Sequence, residues 1–193
     1  IGTGWYIPAG VLHAPGSLLT YEPQWGTDLN CVLENVVCEE VFSDKYLTDM
    51  IPDNCEDKVE YVLDAIDWEE NYVSNFKEKY FRKPIELPIT QDGLSEKWIC
   101  YGNQYLSSKE VTIAPGAEIL LKDKAAYGAV LIQGFGNFGG FHAETVNMLR
   151  VGNQSCDEFF VSNSRANKGI LIKNDSKVEP LVILQHFGPD NIV

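Results

Sequence analysis

The part of the chain from about residue 94 to residue 193 is divided into short apolar runs by turn signals, and this spacing restricts the fold more than any other feature of the sequence. Each run has the length and the β-branched content that are typical of a strand. The runs cover residues 110–113, 118–121, 128–133, 146–150, 158–161, 169–173 and 181–186. Turn residues separate them at 114–116, 139–140 and 174–176. Many short strands at this spacing predict an antiparallel sandwich or barrel.

Residues from about 44 to 84 have helical periodicity instead. Asp53 and Glu56 have the spacing of a capping box, which predicts the start of a helix. An apolar stripe follows at i, i+3, i+4 and i+7, and aromatic residues expected in the core extend it at intervals of four. These residues are Val59, Val62, Leu63 and Ile66, followed by Trp68, Tyr72, Phe76 and Tyr80. Two prolines, Pro84 and Pro88, end the helical pattern.

The charge balance restricts the kinds of partner. The chain has 28 acidic and 15 basic residues, a formal net charge of −13. A surface of that sign repels phosphate backbones and anionic membranes, so neither nucleic acid nor a membrane is expected as a partner. A small sugar or anionic ligand stays open, because a local basic pocket can exist within an acidic surface.

The five cysteines give no sign of a disulfide framework or a zinc site, because their number is odd and no pair has CxxC spacing. They are Cys31, Cys38, Cys55, Cys100 and Cys156. We expect free, buried thiols in a reducing cytoplasm. There is also no apolar run of eighteen residues that would span a membrane.

Residues 1–43 read as β structure around a turn signal at residues 8–10, with strand-like runs at 18–21 and 32–37. Gly2, Pro8, Gly10 and His13 have the spacing G-x5-P-x-G-x2-H. This pattern resembles the second sequence motif of the cupin superfamily, whose next position is Asn where this chain has Ser17. In that motif the turn joins two barrel strands and the histidine is a metal ligand, a role that suits imidazole. The alternative is a turn followed by a structural histidine.

The residues that follow His13 are similar to those of type I phosphomannose isomerases over about thirty residues. The matching positions are Ala14, Gly16, Glu22, Gln24 and Asp28. The resemblance implies a divalent metal (Zn, Mn, Fe or Ni) at His13, with Glu22 and Asp28 as weaker candidates for binding substrate. Both carboxylates can instead be hydrogen-bonded at strand ends.

The chain departs from the isomerases in two places. Val32 stands where they have a catalytic arginine, and their other metal ligands would precede Ile1. No catalytic residue is therefore carried over, and the chain is expected to begin partway through a first barrel.

The first cupin motif, G-x5-H-x-H-x3,4-E-x6-G, fits residues 116–136 in its glycines and spacing. The ligand positions then hold Lys122, Lys124 and Ala129, which cannot bind a divalent cation. The best alignment of the second motif places Ser162, Ser164 and Asn167 at its Pro, Gly and His positions. The resemblance thus implies a second module that keeps the cupin frame without a metal. Lys122 and Lys124 bind an anion if they face the barrel interior, or else they belong to a solvated turn.

Three further features of the sequence have other interpretations. His142 and Glu144 share one face if they lie on a strand, so they are either a weak alternative metal pair or a surface pair. His186 ends an apolar strand and reads as structural. Gly134, Gly136 and Gly139 fit GxGxxG, but no helix is expected after them, so a dinucleotide site is excluded.

The sequence therefore predicts an all-β, cupin-type double-stranded β-helix, or jelly roll. We expect the end of a first module at 1–43, a mostly helical linker at 44–93 and a complete, degenerate second module at 94–193. The resemblance to bicupins implies chemistry related to a metal-dependent sugar or sugar-phosphate isomerase. A non-catalytic bicupin that binds a carbohydrate or other small molecule and a metal-dependent oxygenase are the alternatives, and a homodimer is left open.

Overall fold

The computed structural model describes residues 4–14, 16–26, 32–34, 36–43, 45–148 and 151–189. It divides into two compact units, one formed by Ile7–Tyr80 and the other by Ile1–Tyr6 with Phe81–Val193. We call them the N-terminal unit and the barrel unit. The module boundaries expected at residues 43 and 93 stay a prediction. No helix in the described ranges is long and apolar enough to cross a membrane.

The strands and helices follow in chain order. They are β1 (Gly4–Trp5), β2 (Val36–Val37), β3 (Glu40–Val41), α1 (Lys45–Thr48), α2 (Lys58–Asp64), α3 (Trp68–Asn71), α4 (Phe76–Tyr80), β4 (Phe81–Arg82), β5 (Ile85–Glu86), β6 (Leu94–Cys100), β7 (Ser107–Ile113), β8 (Glu118–Leu121), β9 (Tyr127–Gln133), β10 (Phe135–Phe138), β11 (Phe141–Glu144), β12 (Glu158–Val161), α5 (Asn163–Lys168), β13 (Ile170–Asn174) and β14 (Leu181–Phe187).

Two antiparallel sheets form the body of the barrel unit, and β1 pairs with β4 in a small third sheet. The larger has the order β12-β9-β14-β7-β6-β5, and the smaller has the order β11-β10-β13-β8. From β7 to β14 the chain passes from one sheet to the other at every connection except the β10–β11 hairpin. This alternation is the topology of a jelly roll, or double-stranded β-helix. It confirms the all-β fold that the strand spacing predicts and the cupin-type jelly roll that the motif resemblance implies.

Side-chain alternation places the core between the two sheets. On β8, β9 and β13 every second residue is buried, as expected for strands with one face toward a core. The buried set includes Ile113, Ile119, Leu121, Ile172 and Ile183, each almost fully enclosed. β14 lies between β7 and β9 in the larger sheet, so its run of apolar residues is at the centre of the unit.

Most predicted strands are confirmed, two of them with the predicted ends, at 118–121 and 158–161. The strand predicted at 146–150 is wrong, because the described residues of that range are not in a strand. The chain instead forms β10 and β11, joined by Gly139 and Gly140, which both have positive φ. The strand β10 was not predicted because glycines interrupt its apolar pattern. Gly136 is needed there because a Cβ would lie 2.0 Å from the Lys173 carbonyl oxygen.

The N-terminal unit contains short helices and one small hairpin, β2–β3. Asp57 caps α2 by accepting a hydrogen bond from the Glu60 amide at 3.0 Å, so the capping box predicted at Asp53 is wrong. An aspartate at position 53 or 57 could accept a hydrogen bond from the N3 amide of a helix, but α2 begins only after Asp57. Tyr80 is buried, whereas Tyr72 is exposed, so the aromatic residues are only partly core contacts.

Residues 18–21 are not in a strand, and of the run at 32–37 only β2 is formed among the described residues. Cys31 lies outside those residues. The four described cysteines are free thiols, as predicted, but none is buried: Cys55, Cys100 and Cys156 are partly exposed, and Cys38 is exposed. It sits at positive φ in the turn of the β2–β3 hairpin, where a side chain projects into solvent.

Candidate functional site

A polar cluster lies inside the barrel unit, among residues that the alternation turns toward the core. Glu96 is on β6, Lys109 on β7 and Gln185 on β14, while Asp123 follows β8 and Tyr127 begins β9. We call these five residues the interior ion cluster. Four adjacent elements of the larger sheet and the end of β8 therefore converge on one point.

The Lys109 ammonium group is the centre of the cluster. Its Nζ lies 2.6 Å from Glu96 Oε1 and 2.6 Å from Asp123 Oδ1. The side chains of Lys109 and Asp123 are only 4% and 6% exposed. Nζ also lies 5.5 Å from the Trp98 ring centroid and 5.6 Å from that of Phe187, within range of cation–π attraction. The charge is thus held by two carboxylates and two aromatic rings.

Hydrogen bonds and burial set the electrostatics of the cluster. Gln185 Nε2 donates to Asp123 Oδ2 at 3.0 Å. Burial raises the pKa of Asp123 above its usual value, although the Lys109 charge and hydrogen bond act against that rise. Burial, and then the Asp123 charge, raises the pKa of Tyr127 strongly, while the nearby Gln185 amide lowers it by less. The phenol is therefore neutral at physiological pH.

Two polar atoms of the cluster keep unused hydrogen-bonding capacity. Tyr127 Oη and Gln185 Oε1 are fully buried and make no well-formed hydrogen bond with the described residues. Such atoms are rare in folded proteins, because each costs about 1–3 kcal/mol when left unpaired. These unpaired atoms therefore lower the stability of the barrel unit.

The residues of the barrel interior do not fit a divalent metal. At the aligned ligand positions, Ala129 faces the interior, while Lys122 and Lys124 are exposed in the connection after β8. The interior residue of that connection is Asp123, whose carboxylate is already paired with Lys109. A protonated amine therefore occupies the point at which two carboxylates could otherwise hold a metal. No group of three or more His, Cys, Asp or Glu side chains in the described chain is arranged to hold one.

The positions aligned with the second motif also lie outside the interior. Ser162 precedes α5, Ser164 and Asn167 are within it, and all are exposed. The Ser162 and Ser164 hydroxyls are 3.4 Å apart, and Asn167 Nδ2 donates to the Lys124 carbonyl at 3.3 Å. These contacts fix the connection between β12 and β13.

In the N-terminal unit, His13 follows the predicted turn. Gly10 has φ of 79°, and the Val11 amide donates to the Pro8 carbonyl at 3.3 Å. The His13 side chain is exposed, with Nδ1 3.0 Å from the Val11 carbonyl oxygen. Glu22 is exposed as well and accepts a hydrogen bond from Thr20 at 3.0 Å. His13 and Glu22, both described, do not share a hydrogen bond, and Asp28 and Gly2 lie outside the described residues.

The other two histidines of the chain, His142 and His186, lie on the outside of the barrel unit. His142 Nε2 and Glu144 Oε2 on β11 are 3.1 Å apart in a solvent-exposed pair, and their use as metal ligands stays a prediction. The His186 ring lies against Gly128, where a Cβ would be 2.0 Å from Nε2. Burial lowers the pKa of His186, and Glu158 opposes that shift. This packing agrees with the structural role expected for His186.

A groove opens at the edge of the barrel where β12 of the larger sheet faces β10 and β11 of the smaller sheet. It encloses about 240 Å³. The side chains that form it are Phe138, Phe141, Phe159, Phe160, Arg165 and Ile170. We call it the edge groove. Sequence reasoning did not find it, although the Phe159–Phe160 pair and the Phe138/Phe141 pair on neighbouring strands were visible in the sequence.

No family model matches the chain, and no curated protein is similar to it in sequence. Solved structures resemble it over about half of its length. The complex of SigE with the anti-sigma factor ChrR from Rhodobacter sphaeroides matches at 8% identity, covering 52% of this chain and 46% of that one, with a TM-score of 0.38. A cupin-2 domain from Rhodospirillum rubrum matches at 12% identity, with coverage of 57% and 72% and a TM-score of 0.40.

Oxalate decarboxylase from Bacillus subtilis matches at 22% identity, covering 55% of this chain and 28% of the enzyme, with a TM-score of 0.39. That enzyme has Mn(II) centres. The chain thus spans less than half of the length of the SigE–ChrR chain and of the decarboxylase. Likeness at this level concerns the fold alone.

Proposed function

We propose that the barrel unit is a cupin-like module that binds a small molecule without converting it. The observation that carries this proposal is the Lys109 ammonium group, which neutralises Glu96 and Asp123 inside the barrel. A catalytic metal needs those carboxylates free, and a catalytic base needs to reach its substrate. Here both carboxylates are engaged and enclosed, and the neighbouring Tyr127 phenol stays protonated.

The ligand class proposed is a small carbohydrate or anionic molecule, as the sequence suggests. The net charge of −13 disfavours a nucleic acid or an anionic membrane as its partner. The filled interior directs binding to a groove at the edge of the barrel rather than to its centre. Such a module would act through recognition, with a homodimer as one arrangement that would present two such sites.

The proposal is tested by metal titration. Calorimetric titration of the full chain with Mn²⁺, Zn²⁺ and Ni²⁺ is expected to show no uptake by the barrel unit. Any binding that does occur is expected to disappear in His13→Ala. One equivalent of metal that persists in His13→Ala and is lost in Asp123→Asn would contradict the proposal. Steady conversion of an aldose phosphate to a ketose phosphate, measured by NMR of the sugar, would also contradict the proposal if the activity persists in His13→Ala.

A second candidate function concerns the N-terminal unit, which we propose as part of a metal site related to sugar-phosphate isomerases. The supporting observation is the His13 ring. Its Nδ1 faces the Val11 carbonyl at 3.0 Å, so the proton is placed on Nδ1 and the lone pair on Nε2. That tautomer is the one in which a histidine binds a metal through Nε2. A metal there would polarise the oxygens of a bound sugar. No observation of its own favours the oxygenase alternative.

This candidate predicts that His13→Ala abolishes metal binding by the N-terminal unit. Elemental analysis after dialysis is expected to fall from near one metal per chain to none. His142→Ala tests the alternative metal pair on β11 separately, and a loss of metal in that variant instead of in His13→Ala would assign the metal to His142 and Glu144. If metal content is the same in His13→Ala and in the unchanged protein, His13 is not a ligand.

A further inference from the structure

We propose that the edge groove binds a small molecule consisting of one aromatic ring and a carboxylate, an inference that rests on the binding role proposed above. The groove lies within the barrel unit, between β12 with the start of α5 on one side and the β10–β11 hairpin on the other. Its floor, its rim and its charge each favour this class of ligand.

Two stacked rings form the floor. Phe138 and Phe159 have ring centroids 4.5 Å apart and planes inclined by 16°. Phe138 is buried in the core, so the stack is fixed in place by the barrel itself. Ile170 closes the floor beside the stack. A planar apolar surface of this kind accepts another ring by offset stacking or an edge-to-face contact.

Two exposed rings form the rim. Phe160 is 79% exposed and Phe141 is 69% exposed, although both belong to strands that face the groove. Leaving two phenyl rings in water is unfavourable, because each buries a large apolar area when it is covered. Both rings line the groove, so a ligand ring bound there would cover part of their exposed apolar area.

Arg165 supplies the positive charge in the lining of the groove. Its side chain is exposed, and its guanidinium group forms no ion pair with any residue that the structure describes. In a chain with a net charge of −13 such an arginine is a local exception. A guanidinium group binds a carboxylate through two parallel hydrogen bonds, a geometry that an ammonium ion does not match. Ser162 also lines the groove.

The volume sets the size of the ligand. An apolar cavity of about 150 Å³ accommodates benzene. The edge groove, at about 240 Å³, therefore has room for one ring and a short acidic side chain. β12 is also an edge strand of the larger sheet, so a peptide strand or a second copy of the chain are the competing occupants. We favour the small molecule because the groove is concave and its lining includes a cation.

The test is a titration of phenylacetate into the full-length chain labelled with ¹⁵N. We expect a dissociation constant of about 1 mM, as for a ligand of this size with one charged contact. The amides of residues 159–165 should shift most. Phenethylamine has the same ring with the opposite charge and is expected to bind at least about tenfold more weakly. Equal binding of the two probes would overturn the anionic part of the proposal.

Variants locate the site. Arg165→Gln should weaken phenylacetate binding about tenfold, and Arg165→Lys should weaken it less, because it keeps the charge. Lys168→Gln is the matched control, since it removes a positive charge from the same helix outside the groove and should change affinity less than twofold. Phe160→Ala should weaken binding of both probes. Because Arg165 and Phe160 are exposed, these variants are expected to fold normally.

Failure of this inference can be distinguished from failure of the proposed function. If phenylacetate causes no shifts at residues 159–165, the groove does not bind this ligand class, whatever the metal titrations show. If those shifts depend instead on protein concentration, a second copy occupies the groove and the inference is wrong. Binding at the groove that needs a metal, or that is followed by conversion of the probe, contradicts the non-catalytic role while leaving the groove assigned.

Discussion

Lys109→Met is expected to lower the free energy of unfolding of the barrel unit by about 3–5 kcal/mol. The variant keeps the length of the side chain but leaves Glu96 and Asp123 enclosed without their counter-charge. Removing one partner of a buried ion pair costs more than the pair itself contributes, because an uncompensated charge stays in a medium of low polarity. Denaturant unfolding of the full chain, followed by tryptophan fluorescence, measures the loss.

The loss should depend on pH in a defined direction. Burial already raises the pKa of Asp123, and the Lys109 charge limits that rise, so the variant should raise it further. A carboxyl group with a raised pKa in the folded state binds its proton there before it does in the unfolded chain. Acid therefore stabilises the folded variant relative to the unfolded one, and the deficit should shrink as the pH falls from about 7 to about 5.

Two comparisons make this result specific. Lys122→Met removes an exposed lysine from the adjacent connection and should change stability by less than about 0.5 kcal/mol. Adding Glu96→Gln and Asp123→Asn to Lys109→Met removes the two stranded charges and should restore much of the stability. A Lys109→Met protein as stable as the unchanged chain at neutral pH would show that the interior ion cluster does not neutralise buried charge.

The barrel could be predicted from the sequence because turn signals divide it into short apolar runs of strand length. The run at 118–121 forms β8 with the predicted ends, and within it the structure buries Ile119 and Leu121 while Leu120 is exposed. The β10–β11 hairpin escaped prediction for the opposite reason. Its inward positions are partly glycine, which has no side chain to mark a face, and Gly136 is there because the Lys173 carbonyl leaves no room for a Cβ.

The interior ion cluster was not predicted, because its members are distant in sequence and each is ordinary alone. Lys109 and Glu96 look like solvated charges on neighbouring strands. The strand register places Glu96 opposite Val111 and Lys109 opposite Trp98, so both charged side chains lie on the inner face of the sheet. Position in the alternation was the signal that was available, since Lys109 has the same parity as the core residues Val111 and Ile113. The aligned motif instead predicted the anion site at Lys122 and Lys124, which are exposed.

Asn174 supports the second large prediction, since a residue that reads as part of a turn joins three segments of the barrel unit. Its side chain is fully buried at the end of β13. Nδ2 lies within hydrogen-bonding distance of the carbonyl oxygens of Ile113 (3.0 Å), Ala114 (3.2 Å) and Glu179 (2.9 Å). Oδ1 accepts a hydrogen bond from the Ser176 amide at 2.9 Å. The side chain thus connects the β7–β8 turn to the loop before β14.

Asn174→Ala is expected to lower the free energy of unfolding by about 3–4 kcal/mol, because it leaves several enclosed backbone groups without partners. Denaturant unfolding of the full chain measures the change. Asn153→Ala is the matched control, since it removes the same amide from an exposed loop and should cost less than about 0.5 kcal/mol. Equal stability of the two variants would mean that the loops hold their positions without Asn174.

Asn174→Asp separates the donor role of this side chain from its acceptor role. The carboxylate still accepts from the Ser176 amide but cannot donate to the three carbonyl oxygens, and it adds a buried charge. At neutral pH the variant should be at least as unstable as Asn174→Ala. In acid the protonated carboxyl can donate one hydrogen bond and carries no charge, so the variant should regain stability, whereas Asn174→Ala should not. The same response to acid in both variants would place the defect in packing rather than in hydrogen bonding.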